Sequence, residues 1–145
     1  MGFKFRLEKV LEYRRQLEEQ AMLVLARARA RRDAEKVRLE NLNSEFGLSS
    51  AKLSGGAGMH GAERWLMQNY VQALRQDIES SARLLQGLEE EVALCQNALI
   101  DKAQERELLD KLKSRQAKRF AEDEKLREQH ENDETATIRY KKTAI

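Results

Sequence analysis

A short cluster of glycines is the first feature of the chain that could do chemistry. Residues 55–61 run Gly-Gly-Ala-Gly-Met-His-Gly. A phosphate-binding loop is also rich in glycine, but it follows a strand and ends in Gly-Lys-Ser or Gly-Lys-Thr. This segment has neither feature. Glycine also serves where a chain turns back after a helix, because it tolerates a positive φ angle. The cluster is therefore interpreted as a turn rather than a nucleotide site.

The histidines, the cysteine and the acidic runs do not form a reactive site either. His60 and His130 are far apart, and Cys95 lies alone on an apolar stripe. A zinc site needs several ligands brought together. The carboxylates at 89–91 and 122–124 have no cleft that would shift their pKa values for acid–base catalysis. We expect no enzymatic activity, no metal and no cofactor, and we expect Cys95 to be a small core residue.

The overall composition is typical of long helices that pair as a coiled coil. Of the residues, 36% are charged and only 6% are aromatic, and there is no proline. Disorder would suit so polar a chain, but the leucines recur periodically. The 27 basic and 25 acidic residues are interleaved without a basic stripe, so we expect no nucleic-acid partner. No apolar run approaches the roughly 18 residues that a membrane-spanning helix needs, so we expect no membrane insertion.

The first half of the chain predicts a helix from about residue 3 to about residue 53. Its apolar residues recur at alternating steps of four and three, which is a heptad pattern with some polar members. The members of this first ladder are Leu7, Leu11, Arg14, Glu18, Ala21, Leu25, Ala28, Arg32, Glu35, Leu39, Leu42, Phe46, Ser49 and Leu53.

A second and longer helix is predicted from about residue 62 to about residue 130, after a turn at 54–61. The pattern weakens beyond Leu99, returns at Leu109 and Leu112 and thins out towards Leu126, so we expect residues from about 131 to 145 to fray. The second ladder consists of Met67, Val71, Leu74, Ile78, Ser81, Leu85, Leu88, Val92, Cys95 and Leu99.

Folding the two ladders about Gly58 aligns their apolar members. Leu25 then faces Val92, and Leu42 faces Leu74. Each buried leucine or valine contributes about 1.5–3 kcal/mol, so many such layers offset the cost of ordering long helices. The sequence therefore predicts an all-α fold in which two long helices form one antiparallel coiled-coil hairpin. The prediction is a single monomeric domain over residues 1–145.

Polar residues interrupt the predicted seam at two places. Arg14 falls opposite Lys102, and the Arg32 and Glu35 layers fall opposite Leu85 and Ser81. Long basic side chains can extend along an apolar surface while keeping their charge in water. These layers are therefore compatible with the hairpin, but they predict a looser seam.

Aromatic residues gather at both extremes of the hairpin. Phe46, Trp65 and Tyr70 are predicted near the turn, where they either cap the coil or form an apolar patch for another protein. Phe3 and Phe5 begin a second apolar group. This group also includes Leu7, Val10 and Leu11, and it either docks on Leu109, Leu112 and Phe120 or meets a partner.

Three segments resemble the bacterial flagellar export protein FliJ. They are Phe-Lys-Phe-Arg-Leu at 3–7, Glu45-Phe46 at the end of the first helix, and Arg64-Trp65 followed by Tyr-Val-Gln-Ala-Leu at 70–74. The resemblance implies a non-enzymatic coiled coil of the flagellar type III export apparatus. It also implies a cytoplasmic protein that is peripherally associated with the inner membrane through that apparatus.

The resemblance further implies partners and the residues that meet them. The end that carries both helix termini would enter the ring of the export ATPase FliI and activate it, and a patch near the turn would contact the export-gate protein FlhA. The protein would also escort export chaperones. The ATPase-binding end would comprise Phe5, Leu7, Leu11, Leu109 and Leu112, and the gate patch Leu39, Leu42, Phe46, Trp65, Tyr70 and Leu74.

Two other functions fit the same pattern. One is a structural coiled coil that homodimerises. The other is the equivalent stalk of an injectisome or of another rotary ATPase.

Overall fold

Two α-helices account for most of the computed structural model, which describes residues 2–55 and 58–143. Helix α1 spans Glu8–Ser54, and helix α2 spans Ala62–Thr143. The described residues contain no strand. The all-α hairpin with a longer second helix is thus confirmed.

Local chemistry explains where the helices begin and end. Glu8 and Glu63 lie in the first turns, and Lys52 lies in the last turn of α1. These charges oppose the helix dipole at each position and so stabilise the ends. In the described part of the turn, Gly58 has a φ of 120° and Gly61 a φ of 53°. Side-chain-bearing residues rarely adopt such angles, which explains why glycine lies at both positions.

The chain divides into two compact units. The loop unit is Glu19–Ile100 and contains the turn. The terminal unit joins Met1–Glu18 to Asp101–Ile145.

The core of the loop unit is one stripe on each helix. Leu25, Ala28 and Val92 form a buried cluster, against which Cys95 and Leu99 pack. This contact confirms the predicted layer of Leu25 and Val92. Both predicted ladders, from Leu7 to Leu53 and from Met67 to Leu99, consist wholly of buried or half-buried residues.

Polar layers are satisfied by partners across the seam. In the loop unit, the Ser81 hydroxyl donates a hydrogen bond of 2.6 Å to the Glu35 carboxylate. In the terminal unit, Arg14 reaches past Lys102 to Glu105 at 2.6 Å, and Lys102 lies 3.8 Å from the same carboxylate. Glu105 therefore screens the like-charged layer that the sequence predicted.

These ion pairs run diagonally because helical side chains lean towards the N-terminus of their own helix. In an antiparallel pair, two side chains lean towards each other only when their backbones are offset along the axis. Arg14 with Glu105 shows this offset in the terminal unit, as does Glu8 with Lys113 at 2.8 Å. Arg31 with Glu91 shows it in the loop unit.

Helix boundaries differ from the prediction at both termini. Helix α1 begins at Glu8 rather than near residue 3. Residues 2–7 are not helical. Phe5 is buried, and the centre of the Phe3 ring lies 5.8 Å from that of Phe120. Phe3 and Phe5 thus pack against the protein from a non-helical segment. A helical periodicity in the sequence cannot predict such packing.

Helix α2 continues to Thr143, well beyond the predicted end near residue 130. Residues 121–143 are exposed throughout. They contain no glycine or proline, and glutamate, lysine, arginine and glutamine are frequent among them. These residues have high intrinsic helix propensity, which explains the continuation without a packed face.

The seam position of Leu25 predicts a strong dependence of stability on this side chain. Leu25→Ala should lower the free energy of unfolding by about 2–4 kcal/mol, because it removes buried contacts and leaves a cavity. The matched control is Leu23→Ala in the same helix, where the side chain is exposed. That variant should change stability by less than about 0.5 kcal/mol. Urea unfolding followed by circular dichroism measures both, and equal losses would contradict the seam.

Candidate functional site

Near the turn, the first turns of α2 expose large apolar side chains. Trp65 is 63% exposed, Leu66 60% and Tyr70 42%. The rest of the predicted gate patch faces the seam. Leu74 is buried there, and Leu39, Leu42 and Phe46 are half-buried.

Side-chain contacts tie the two helices together beside this surface. The Tyr70 hydroxyl donates a hydrogen bond to the Glu45 carboxylate of α1. The Arg75 guanidinium lies 5.7 Å from the centre of the Phe46 ring, within the range of a cation–π interaction. Tyr70 therefore contacts Glu45, the neighbour of Phe46 in α1, and Arg75 contacts Phe46 itself.

The hydrogen bond to Glu45 also raises the pKa of Tyr70 above its ordinary value. The bond stabilises the protonated phenol, and burial and the charge of Glu45 act in the same direction. Tyr70 therefore remains a neutral donor at physiological pH. Its ring is held against α1.

An open cavity of about 390 Å³ lies next to Tyr70. Glu63, Leu66, Met67 and Tyr70 line it at spacings of three and four along α2, and Met59 contributes from the turn. We call this surface, together with the exposed Trp65, the turn patch. Its lining is mainly apolar with one carboxylate, which suits an apolar side chain of another protein.

Sequence reasoning missed Met59, Glu63 and Leu66. The available signal was the helical spacing of positions 63, 66, 67 and 70, which places these four residues on one face.

The predicted ATPase-binding residues form the inside of the terminal unit. Leu11 is fully buried, Phe5 is buried, and Leu7, Leu109 and Leu112 are half-buried. Three exposed apolar residues lie beside this seam. They are Val10, Tyr13 and Leu108, and Leu108 is 69% exposed. Sequence reasoning placed Val10 in the apolar group at this end but missed Tyr13 and Leu108. We call these three residues the terminal patch.

A charged network crosses the seam of the terminal unit. The buried Glu18 carboxylate accepts a hydrogen bond from Arg106, which also donates to Asp110 at 2.6 Å. Arg15 of α1 donates to Asp110 as well, at 3.2 Å. A buried carboxylate without such a partner would be strongly destabilising.

The network shifts the pKa values of Asp110 and Arg106. The hydrogen bond from Arg106 is the main reason that the pKa of Asp110 lies below its ordinary value, and Arg15 adds to the effect. Hydrogen bonds to Glu18 and then to Asp110 raise the pKa of Arg106. Each shift favours the charged form, so Asp110 and Arg106 are ionised at neutral pH.

Metal binding and membrane spanning are the other properties relevant to function in the described residues. Within residues 2–55 and 58–143, no group of three or more His, Cys, Asp or Glu side chains could hold a metal ion. Over the same part of the chain, neither helix has an apolar stretch long enough to cross a bilayer. The features that could act on another molecule are the exposed patches.

Comparison with known proteins gives a family match over almost the whole chain. The family model described as "Flagellar FliJ protein" matches residues 3–144. No curated protein and no solved structure matches the chain.

The lowered pKa of Asp110 predicts how acid acts on the fold. A carboxylate whose pKa is lowered by folding stabilises the protein above its unfolded pKa of about 3.9, and this stabilisation is lost as pH falls through the folded pKa. Asp110→Asn should therefore be less stable than the parent protein at pH 7 and should lose less stability on acidification.

Urea unfolding between pH 7 and pH 2 measures this difference, with the exposed Asp133→Asn in the same helix as the control. Asp133→Asn should follow the pH dependence of the parent protein. Parallel curves for the parent and Asp110→Asn would show that the network does not contribute to acid sensitivity.

Proposed function

The chain belongs to the flagellar FliJ protein family, and we propose that it acts as a stalk-like coiled coil that binds and activates the export ATPase FliI. The family match implies a component of the flagellar export apparatus, and the proposal gives this chain a structural, non-enzymatic role in it. The observation that carries the proposal is the family match over residues 3–144 of a chain whose described part is two paired helices.

The surface of the terminal unit supports the ATPase contact. Phe5, Leu7, Leu11, Leu109 and Leu112 hold its two segments together, and the terminal patch presents exposed apolar groups beside them. Such groups are suited to the centre of a protein interface. In the proposal, the seam residues maintain the shape of this end while Tyr13 and Leu108 touch the ATPase.

The turn patch supports a contact with the export-gate protein FlhA. Its exposed Trp65 and Tyr70 belong to residue types that dominate binding energies at interfaces. The seam residues Leu39, Leu42, Phe46 and Leu74 would position the patch. Through these contacts the protein would work in the cytoplasm, associated with the inner membrane by way of the apparatus, and would escort export chaperones.

A pair of matched leucine variants tests which patch meets the ATPase. The intact protein should stimulate ATP turnover by FliI. Leu108→Glu should reduce this stimulation by about tenfold, because it places a charge in the terminal patch, whereas Leu66→Glu in the turn patch should preserve it. Both side chains are largely exposed, so both variants should retain their helical circular dichroism.

Failure of the intact, folded protein to bind or stimulate FliI would refute the proposed activation. Equal effects of the two variants would instead contradict the assignment of the terminal patch.

The same two variants should have the opposite effects on binding to FlhA. Leu66→Glu should weaken binding to the purified cytoplasmic part of FlhA by about tenfold, and Leu108→Glu should leave it unchanged. Calorimetric titration measures the dissociation constants. Retention of full affinity by Leu66→Glu would exclude the turn patch as the gate contact.

A further inference from the structure

A second apolar surface lies along the side of the loop unit. It is a cavity of about 400 Å³ that we call the lateral groove. Val24 is exposed at its margin, and Leu94 is 70% exposed. The groove is lined by Ala21, Val24, Glu91, Leu94, Cys95 and Ala98.

The other side of the same helices is less uniform. Arg29 of α1 and Glu89 and Gln96 of α2 are exposed at heptad positions that flank the seam there, and so is the apolar Met22 of α1. The groove differs because its exposed apolar residues come from both helices and line one cavity. Clustered rather than scattered exposure of this kind is typical of an interaction surface.

The dimensions of the groove decide what could occupy it. Its lining covers residues 21–24 of α1 and 91–98 of α2, which is about one turn and two turns of helix. A second hairpin would have to touch the chain over many more turns than this to bury the roughly 1,200 Å² of a stable interface. A short helix packing along the seam fits the available length.

The charges on the two margins define the flanks of that helix. Arg27 lies one turn after Val24 on α1, and Glu90 lies one turn before Leu94 on α2, so these two exposed charges flank the groove. Arg31 and the lining residue Glu91 already pair with each other. A third helix with an acidic flank beside Arg27 and a basic flank beside Glu90 would complement both margins, as flanking charges do in coiled coils.

We propose that the lateral groove binds a short amphipathic helix of a partner protein, with acidic residues flanking its apolar stripe on one side and basic residues on the other. If such a helix docked in the opposite direction, its acidic flank would lie beside the acidic margin and its basic flank beside the basic margin, and like charges would repel. The groove thus selects one direction of docking. This site goes beyond the ATPase and gate contacts, because it uses neither the terminal patch nor the turn patch.

Cys95 provides a built-in reporter of occupancy. It is the only cysteine of the chain, is half-buried and lines the groove. The rate at which N-ethylmaleimide alkylates the full-length protein can therefore be measured with and without synthetic helical peptides. Three peptides of about two heptads, long enough to be helical and only about one turn longer than the groove at each end, should share one leucine stripe. They should differ only in their flanks, which carry mixed Glu and Lys, Glu alone or Lys alone.

The mixed-flank peptide should slow alkylation of Cys95 by about tenfold at saturation, and each single-charge peptide should do so only at higher concentration. Leu94→Glu and Val24→Glu should each abolish the protection. Met22→Glu is the matched control, because Met22 is a similarly exposed apolar residue of α1 that does not line the groove. Fluorescence anisotropy of labelled peptide provides a second measure of binding.

Absence of both protection and anisotropy change with the mixed-flank peptide would overturn the proposal. Equal potency of all three peptides would overturn the charge assignment. Slower alkylation at higher protein concentration without any peptide would show that a second copy occupies the groove instead.

Discussion

A pair of helices can bury only the stripe along which they touch, and this limit governs the rest of the molecule. In each unit the interior is about one residue thick per helix, with Leu25 and Val92 meeting in the loop unit and Leu11 enclosed in the terminal unit. Every other direction faces water. Stability therefore depends on the seam, and contact with other molecules depends on side chains beside it.

The polar members of the seam follow from the same limit. A charged residue in so thin an interior stays close enough to the surface to reach a partner along the helix, as Arg14 reaches Glu105. Removing one partner would leave a poorly solvated charge, whereas the intact pair adds little net stability. The network around Glu18 and Arg106 is accordingly better understood as a constraint on how the segments pair than as a source of stability.

The sequence predicted the seam well because a heptad ladder needs only the identity and spacing of residues. All its members from Leu7 to Leu53 and from Met67 to Leu99 are shielded, including polar Ser81 and Glu35. The sequence-based prediction was wrong where contacts do not follow a helical period. The non-helical path of Phe3 and Phe5 depends on contacts such as that with Phe120, and the pairing of Arg106 with Glu18 depends on side-chain lean.

The candidate surfaces were predictable only in position, because apolar character alone does not distinguish a buried side chain from an available one. Leu11 and Leu74 satisfy the ladder and are shielded by it, whereas Leu108 and Leu66 interrupt the polar faces and remain exposed. A charge placed at Leu11 would disrupt folding and binding together, so loss of activity there could not assign a contact. Only exposed neighbours such as Leu108 separate the two effects, and function in so thin a fold must be assigned through them.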